Sequence, residues 1–335
     1  MATITDISNH TGYSLSTVAS VLRGATNFRE DTRQKVQNAA RELDYEPNWL
    51  SKALAGASSM TIGVFGSRID VPSSMIKIGS IENVARKADF LTYIVNSPIS
   101  DFESQQKYLK NLLSRRIDGL IVNCLPQPPN GQILKLLENV DIPVVFMDMV
   151  PKGRKNCVSV NRVNAIVETV SCLKSLGHKK IALIAHELEI ETNNLKISAY
   201  KQAAKVHNIE LLPIQDWAYQ RKAINLGKDA YALITKKLKK IKNVTEFPTT
   251  LITFDDDIAV AAIKALNDIG LSVPGDISVV GFDDSNIASF FSPALTTIRQ
   301  PRSEVGKAAA NMLLKMINNA EEPIMPAIFD AELII

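Results

Sequence analysis

Gly12-Tyr-Ser-Leu-Ser-Thr-Val-Ala-Ser-Val-Leu22 is the stretch whose reading decides the fold of the amino-terminal region. Gly12 reads as a helix stop, Ser14 as the cap of the next helix, and Leu15, Val18, Val21 and Leu22 recur at helical period. Toward the amino terminus, Thr3 is followed three residues later by Asp6, the start of a capping box, and Ile4, Ile7 and Ser8 keep the helical spacing until Gly12. Two short helices joined by Thr11, Gly12 and Tyr13 make a helix-turn-helix, whose second helix offers Leu15, Ser16, Thr17 and Ser20 outward. A helix of this size fits a DNA major groove.

Beyond that pair, apolar positions predict a third helix from about Glu30 to Leu43, with Val36, Ala39, Ala40 and Leu43 turned inward to complete a three-helix core. Tyr45-Glu-Pro-Asn48 leads on to Leu54-Ala-Gly56, where Pro47 suits a helix's first turn and Gly56 its end. A helix that short folds only against a support. Residues 1–56 carry Arg23, Arg29, Arg33, Lys35, Arg41 and Lys52 against Asp6, Glu30, Asp31, Glu42, Asp44 and Glu46, so this head is electrically balanced. Each phosphate neutralised steepens the salt dependence of DNA binding, and a balanced head therefore predicts docking by shape with a modest salt slope.

At 335 residues, 46% of them hydrophobic, the chain exceeds one ordinary core and reads as a small head plus a two-lobed body. Its net charge of +3 is mild. Cys124, Cys157 and Cys172 are scattered, with neither metal-ligand spacing nor pairing logic, and read as buried free thiols. The chain opens without a basic region leading into an apolar run, and no apolar segment is long enough to span a bilayer. A cytoplasmic location is expected, and a membrane partner is not.

From Thr61-Ile-Gly-Val-Phe-Gly66 onward, short apolar runs alternate with helical periodicity. Helix near Met75 to Asp89, strand Leu91 to Val95, helix Gln105 to Leu113, strand Gly119 to Val122, helix Ile133 to Leu137 and strand Pro143 to Met147 describe one doubly wound α/β lobe. A second lobe repeats the plan with helix Ala165 to Leu176, strand Ile181 to Ala185, helix Thr192 to His207, helix Ala223 to Leu238, strand Thr250 to Phe254, helix Asp256 to Ile269 and strand Ile277 to Gly281. Asp255-Asp256-Asp257 opens a helix and reads as a cap answering the helix dipole rather than a metal cluster. Lys236-Lys-Leu-Lys-Lys-Ile-Lys242 reads as a solvated helix face. His178 and His186 have no Ser or Cys in a nucleophilic setting, and no phosphate loop is visible, so catalysis has no candidate and no cofactor is expected.

The order Ala-Thr-Ile-x-Asp-Ile, Gly-x-Ser-x-x-Thr-Val, Thr32-Arg-x-Lys-Val36, Glu42-Leu-x-Tyr45-x-Pro-Asn48 and Leu54-Ala resembles the lactose-repressor (LacI/GalR) family of bacterial transcription regulators. The resemblance continues through Asp118-Gly-Leu-Ile, Leu176-Gly-His-Lys-Lys-Ile-Ala, Val273-Pro-x-Asp-Ile-Ser-Val-Val-Gly-Phe-Asp-Asp284 and Pro293-Ala-Leu-Thr-Thr-Ile-x-Gln-Pro301, covering nearly the whole chain. It implies a helix-turn-helix head over residues 1–45, a hinge helix and linker over 46–58, and a periplasmic-binding-protein-like body of doubly wound parallel sheets. The first lobe is expected to take residues 59–161 plus 291–322, and the second 162–290 plus 323–335, with Ile328 to Leu333 as its closing strand.

By the same resemblance the partner is a pseudo-palindromic operator in duplex DNA. Leu15 and Ser16 fall where bases are read, and Ser14, Thr17, Arg23, Asn27 and Thr32 where phosphates are held, with Tyr45 and Asn48 in the same set. Family members often carry a long side chain where this chain has Ser20, so base reading is shifted toward Leu15 and Ser16. Leu54 matches the apolar wedge that paired hinge helices insert into the minor groove. A homodimer is expected, and without a heptad tail after Ile335 no tetramer through a terminal coiled coil.

Carried over residue by residue, the family's effector site falls on Ser67, Met147, Asp148, Thr192, Lys196, Trp217 and Asp256. A sugar has apolar faces and a hydroxyl rim, which Trp217 would stack upon and Asp148 and Asp256 would grip. Sugar-responsive members mostly have Arg where Lys196 stands, and Lys does not reproduce its planar fork. The loop Ala185-His-Glu-Leu-Glu-Ile-Glu191 is also bulkier and more acidic than usual. The expected function is a transcriptional regulator, in the repressor sense, controlled by a small carbohydrate-like effector. The alternative is a regulator gated by a phosphocarrier protein.

Overall fold

Thr3 and Asp6 close the capping box that their spacing predicts: the Thr3 amide donates to Asp6 Oδ2 at 2.8 Å and the Asp6 amide donates to Thr3 Oγ1 at 3.3 Å. They launch α1 (Ile4–Thr11), which ends at Gly12 with φ of 74°, a left-handed conformation that only glycine adopts without a side-chain penalty. Ser14 then caps α2 (Leu15–Leu22), accepting from the Thr17 amide at 3.2 Å, and α3 (Glu30–Glu42) follows. Ile7, Val18, Val21, Val36 and Ala39 form the buried centre, with Ala40, Leu43 and Tyr45 partly buried against it.

These coordinates come from a computed structural model that describes residues 2–45, 58–69, 71–97, 101–123, 131–151, 153–186, 191–219, 226–240, 247–319 and 323–335. The expected hinge helix, with Asn48 and Leu54, lies outside the described residues, as do Cys124 and most of the loop before Glu191. Met1–Ser59 and Met60–Ile335 are separate compact units.

In the larger unit, β1 (Thr61–Gly66), α4 (Pro72–Lys87), β2 (Leu91–Asn96), α5 (Phe102–Leu113), β3 (Gly119–Asn123), α6 (Gln132–Glu138), β4 (Val144–Met147) and β5 (Cys157–Asn161) build the first lobe. The second holds α7 (Val163–Ser175), β6 (Lys180–His186), α8 (Glu191–Val206), β7 (Glu210–Leu211), β8 (Ala218–Tyr219), α9 (Leu226–Lys240), β9 (Thr250–Thr253), α10 (Asp256–Asp268), β10 (Ser278–Val280) and α11 (Asn286–Phe290). The chain ends with β11 (Thr297–Arg299), α12 (Arg302–Ile317), β12 (Ala327–Asp330) and β13 (Glu332–Ile334).

A six-stranded parallel sheet runs β12-β5-β4-β3-β1-β2, and a second parallel sheet runs β10-β9-β6-β7 with β8 also on β6. Strands β1, β3 and β4 are buried along their whole length, as strands covered on both faces must be, whereas β2 at the edge exposes Leu91, Tyr93 and Ile94. Helix α12 packs on α4 and on β3, β4 and β5.

Two features depart from the sequence reading. Cys157–Asn161 is a strand that the apolar pattern did not announce, because Ser159 and Asn161 interrupt it. The closing segment joins the first sheet, not the second lobe: β12 pairs in parallel with β5, and β13 pairs with β11 in a separate antiparallel ribbon. The alternating half-exposure of Ala327 to Asp330 suits a sheet edge. Among the described residues no helix is long and apolar enough to cross a membrane.

Candidate functional site

In the head, Ser14, Leu15, Ser16, Arg23 and Asn27 are exposed, and Thr17, Ser20 and Thr32 are half-buried. Leu15 keeps 51% of its surface in water and stands beside Ser16 at the start of α2. The Ser14 hydroxyl lies 2.9 Å from those of Ser16 and Thr17, so the start of α2 is a knot of small polar groups. Ser20 Oγ accepts a long 3.4 Å contact from Arg23. The Tyr45 ring is partly buried against the three-helix core, which gives it a packing role beside any contact of its hydroxyl.

In the body, a cavity of about 90 Å³ opens at the carboxyl ends of the strands. Ser67, Asp148, Thr192, Lys196 and Asp256, all read from the sequence, line it. Met147 and Trp217 do not. Met147 points into the hydrophobic core, and Trp217, 3% exposed, is packed among the apolar side chains of the second lobe. Stacking of a ring on Trp217 is therefore unavailable in this structure.

The two expected rim acceptors are also engaged. Asp148 closes β4 in a left-handed conformation with φ of 55°. It is buried, paired with Lys77 from α4, and accepts from Arg162 Nη2 at 2.8 Å. Burial pushes its carboxyl up, but the two cations outweigh burial and hold it far below the ordinary carboxylate range. Arg162 also donates to Val160 O and, through Nε, to Gln300 Oε1, both at 2.9 Å, and Gln300 donates onward to Asp283 beyond β10. A continuous chain of polar contacts thus runs from α4 of the first lobe to the second.

Asp256, in the first turn of α10, accepts from Thr297 Oγ1 and from the Ser285 amide, each at 2.6 Å. Burial raises its carboxyl to about 6, against the opposing pull of those hydrogen bonds. Gly281 must be glycine here, since a Cβ would run into the Asp256 carboxylate. Asp255 caps α10 as its position predicts, accepting from the Ile258 amide at 2.9 Å. Lys196 donates to Phe254 O at 3.0 Å, and its ammonium lies 3.5 Å from the Phe282 ring centroid. Burial lowers it to about 8, with Asp283 pulling the other way. The Ser67 and Ser97 hydroxyls share a contact of 3.1 Å.

The cleft also contains Arg68, Lys77, Arg162, Asn193, Asp283 and Gln300, none of which the sequence reading singled out. A signal existed for most of them. Arg68, Arg162 and Asp283 each come one to three residues after a strand, where ligands of such sheets collect, and Lys77 falls on the inward stripe of α4 with Ser74, Ile78, Ile81 and Ala85.

Residues 3–48 match bacterial regulatory proteins of the lacI family, and residues 170–335 match the periplasmic binding protein-like domain. The HTH-type transcriptional repressor PurR of Aliivibrio fischeri (strain MJ11) is 32% identical over 325 residues, covering 96% of this chain and 93% of that protein. The chain belongs to the lacI family of bacterial regulatory proteins. The PurR repressor of Photorhabdus laumondii is likewise 32% identical, over 96% of this chain and 92% of its own length. Among solved structures, the lac repressor dimer bound to operator and the anti-inducer ONPF superposes with a TM-score of 0.84 at 26% identity, covering 100% of this chain and 98% of the other. This lacI-family chain is accordingly a DNA-binding transcriptional repressor and not an enzyme.

Proposed function

We propose that this repressor works as a cytoplasmic homodimer whose operator affinity is set by a small, hydroxyl-bearing effector of carbohydrate type bound in the cleft of the body. One observation carries the reading: a cleft at the carboxyl ends of the strands is lined with buried charged groups from both lobes, Lys77 and Asp148 on one side and Lys196 and Asp256 on the other. Burying so many charges is costly, and an unliganded scaffold has no need to gather them at an opening. An effector that fits one lobe arrangement better than another shifts the operator-binding population by its differential affinity.

Dimerisation is supported by apolar exposure on the edge strand β2 and on helix α4, with Leu91 71% and Met75 60% exposed. In the head, Leu15 and Ser16 are proposed to read bases, and Ser14, Thr17, Arg23, Asn27 and Thr32 to hold phosphates. Selection on randomised duplex DNA with the native chain and with Ser20→Arg tests this: a changed operator preference is expected, and recovery of one and the same site by both would refute it.

Fluorescence anisotropy of the selected operator, titrated against small hydroxylated metabolites, tests the effector. A change in operator affinity with at least one of them is expected. A screen blank for small molecules and positive for a phosphocarrier protein would replace this reading with protein gating.

A further inference from the structure

Two polar groups at the cleft have no hydrogen-bond partner among the described residues. Arg68 Nε and Asn193 Nδ2 are buried donors left unpaired. Both residues line the cleft. Arg68 and Asn193 come from different lobes: Arg68 follows β1 in a left-handed conformation with φ of 59°, and Asn193, 5% exposed, sits in the first turn of the sixteen-residue helix α8. Native proteins rarely leave buried donors idle, and two facing one opening call for an acceptor from outside the chain.

The charges around these donors fix what kind of acceptor fits. The first turn of α8 contributes the positive end of its helix dipole. Lys196, three residues on from Asn193 and so on the same helix face, adds a buried ammonium, which Asp283 and Asp255 attract and Arg162 and Arg68 repel. An oxyanion between these cations would relieve their mutual repulsion and satisfy the idle donors together. Further along the same second-lobe wall stand Asp255 and Asp257 at the start of α10, with Ser285 beside Asp256, and these suit hydroxyl donors rather than a second negative group. Burial and the neighbouring Asp255 raise Asp257, in keeping with a wall already crowded with negative charge.

We propose that the effector is a small organic anion that also carries hydroxyl groups, with its oxyanion seated between Arg68 and Asn193 and its hydroxyls toward Asp257 and Ser285. This rests on the reading that the cleft takes a controlling small molecule, and it narrows the chemical class of that molecule. Carboxylate and phosphate share the chemistry required, and the probes tell them apart.

Isothermal titration of the full chain with D-gluconate, D-glucose 6-phosphate and neutral D-glucitol is the test. At least one anion is expected to bind about tenfold or more tightly than glucitol, and Arg68→Gln is expected to erase that margin by removing a charge-assisted contact. Glucitol binding as tightly as the anions, failure of both anions to bind, or a margin that survives Arg68→Gln would overturn the proposal. If Arg68→Gln does not fold, Asn193→Ala is read for the same loss. Operator release by glucitol alone would sink the anion and leave small-molecule control standing. Anion binding that leaves operator affinity untouched would do the reverse.

Discussion

The two walls of the cleft handle the same problem, a buried aspartate, in opposite ways. On the first-lobe wall Asp148 is kept ionised by Lys77 and Arg162, whereas on the other wall Asp256 is held by neutral donors, the Thr297 hydroxyl and Ser285, with no ion pair among the described residues, and is raised to about 6. The difference shows that burial alone does not fix a carboxylate's state. Coulombic partners decide it, and neutral hydrogen-bond donors only moderate the cost of desolvation. One wall is therefore a fixed ion cluster, and the other is open to protonation in mildly acidic solution.

The most forceful way to break this contrast is Asp148→Asn, which strands two buried cations. A loss of about 3–5 kcal/mol in body stability is expected from urea unfolding, as for truncation of one partner in a buried ion pair. A loss under about 1 kcal/mol would mean that the cluster is solvated. Adding Lys77→Met should recover part of the loss, which a double-mutant cycle would measure.

The second wall is sharpened by pH. Asp256, at about 6 in the folded chain against an ordinary value of 3.8, stays protonated where the unfolded chain has already released its proton. Stability contributed by this group therefore falls as pH rises from about 4 to 6, by on the order of 2 kcal/mol. Asp148 runs the other way, its contribution being complete above 3.8 and lost as pH falls below that value. The difference between the native chain and Asp256→Asn, followed by urea midpoints across this range, isolates the first effect; parallel profiles would rule it out.

The smallest expected effect is that of Thr297→Val, which withdraws one donor from Asp256 and should cost about 1 kcal/mol near neutral pH. Because the lost bond favours the charged form, the carboxyl should titrate higher still. Carbon-detected NMR of the Asp256 side chain reads this directly, and an unmoved midpoint would show that Thr297 does not contribute.

Much of this was legible in the residues. The capping box at Thr3, the Ser14 cap and the buried runs of β1, β3 and β4 all follow from local pattern, since each depends on neighbours in sequence. Five of the seven expected cleft residues come together in the structure. What escaped were properties of partnership across long separations. Nothing near Trp217 says whether its ring faces the opening or the core, and a lysine in an amphipathic helix looks solvated until Asp148, 71 residues away, is seen opposite it. Ala327 to Asp330 carried the alternation of an edge strand but no sign of which sheet it would edge.

That last strand has a consequence for synthesis. The side-chain Nδ2 of Asn161 donates to Asp330 Oδ1 at 2.8 Å across a separation of 169 positions in the chain, and β12 borders β5 along its length. While the polypeptide emerges from the ribosome, the entire second lobe is made before β5 acquires this neighbour. During that interval a strand with unpaired backbone groups is available to any other nascent chain, so heavy overproduction should aggregate through this open flank, and slower translation or a chaperone that shields it should raise the soluble yield.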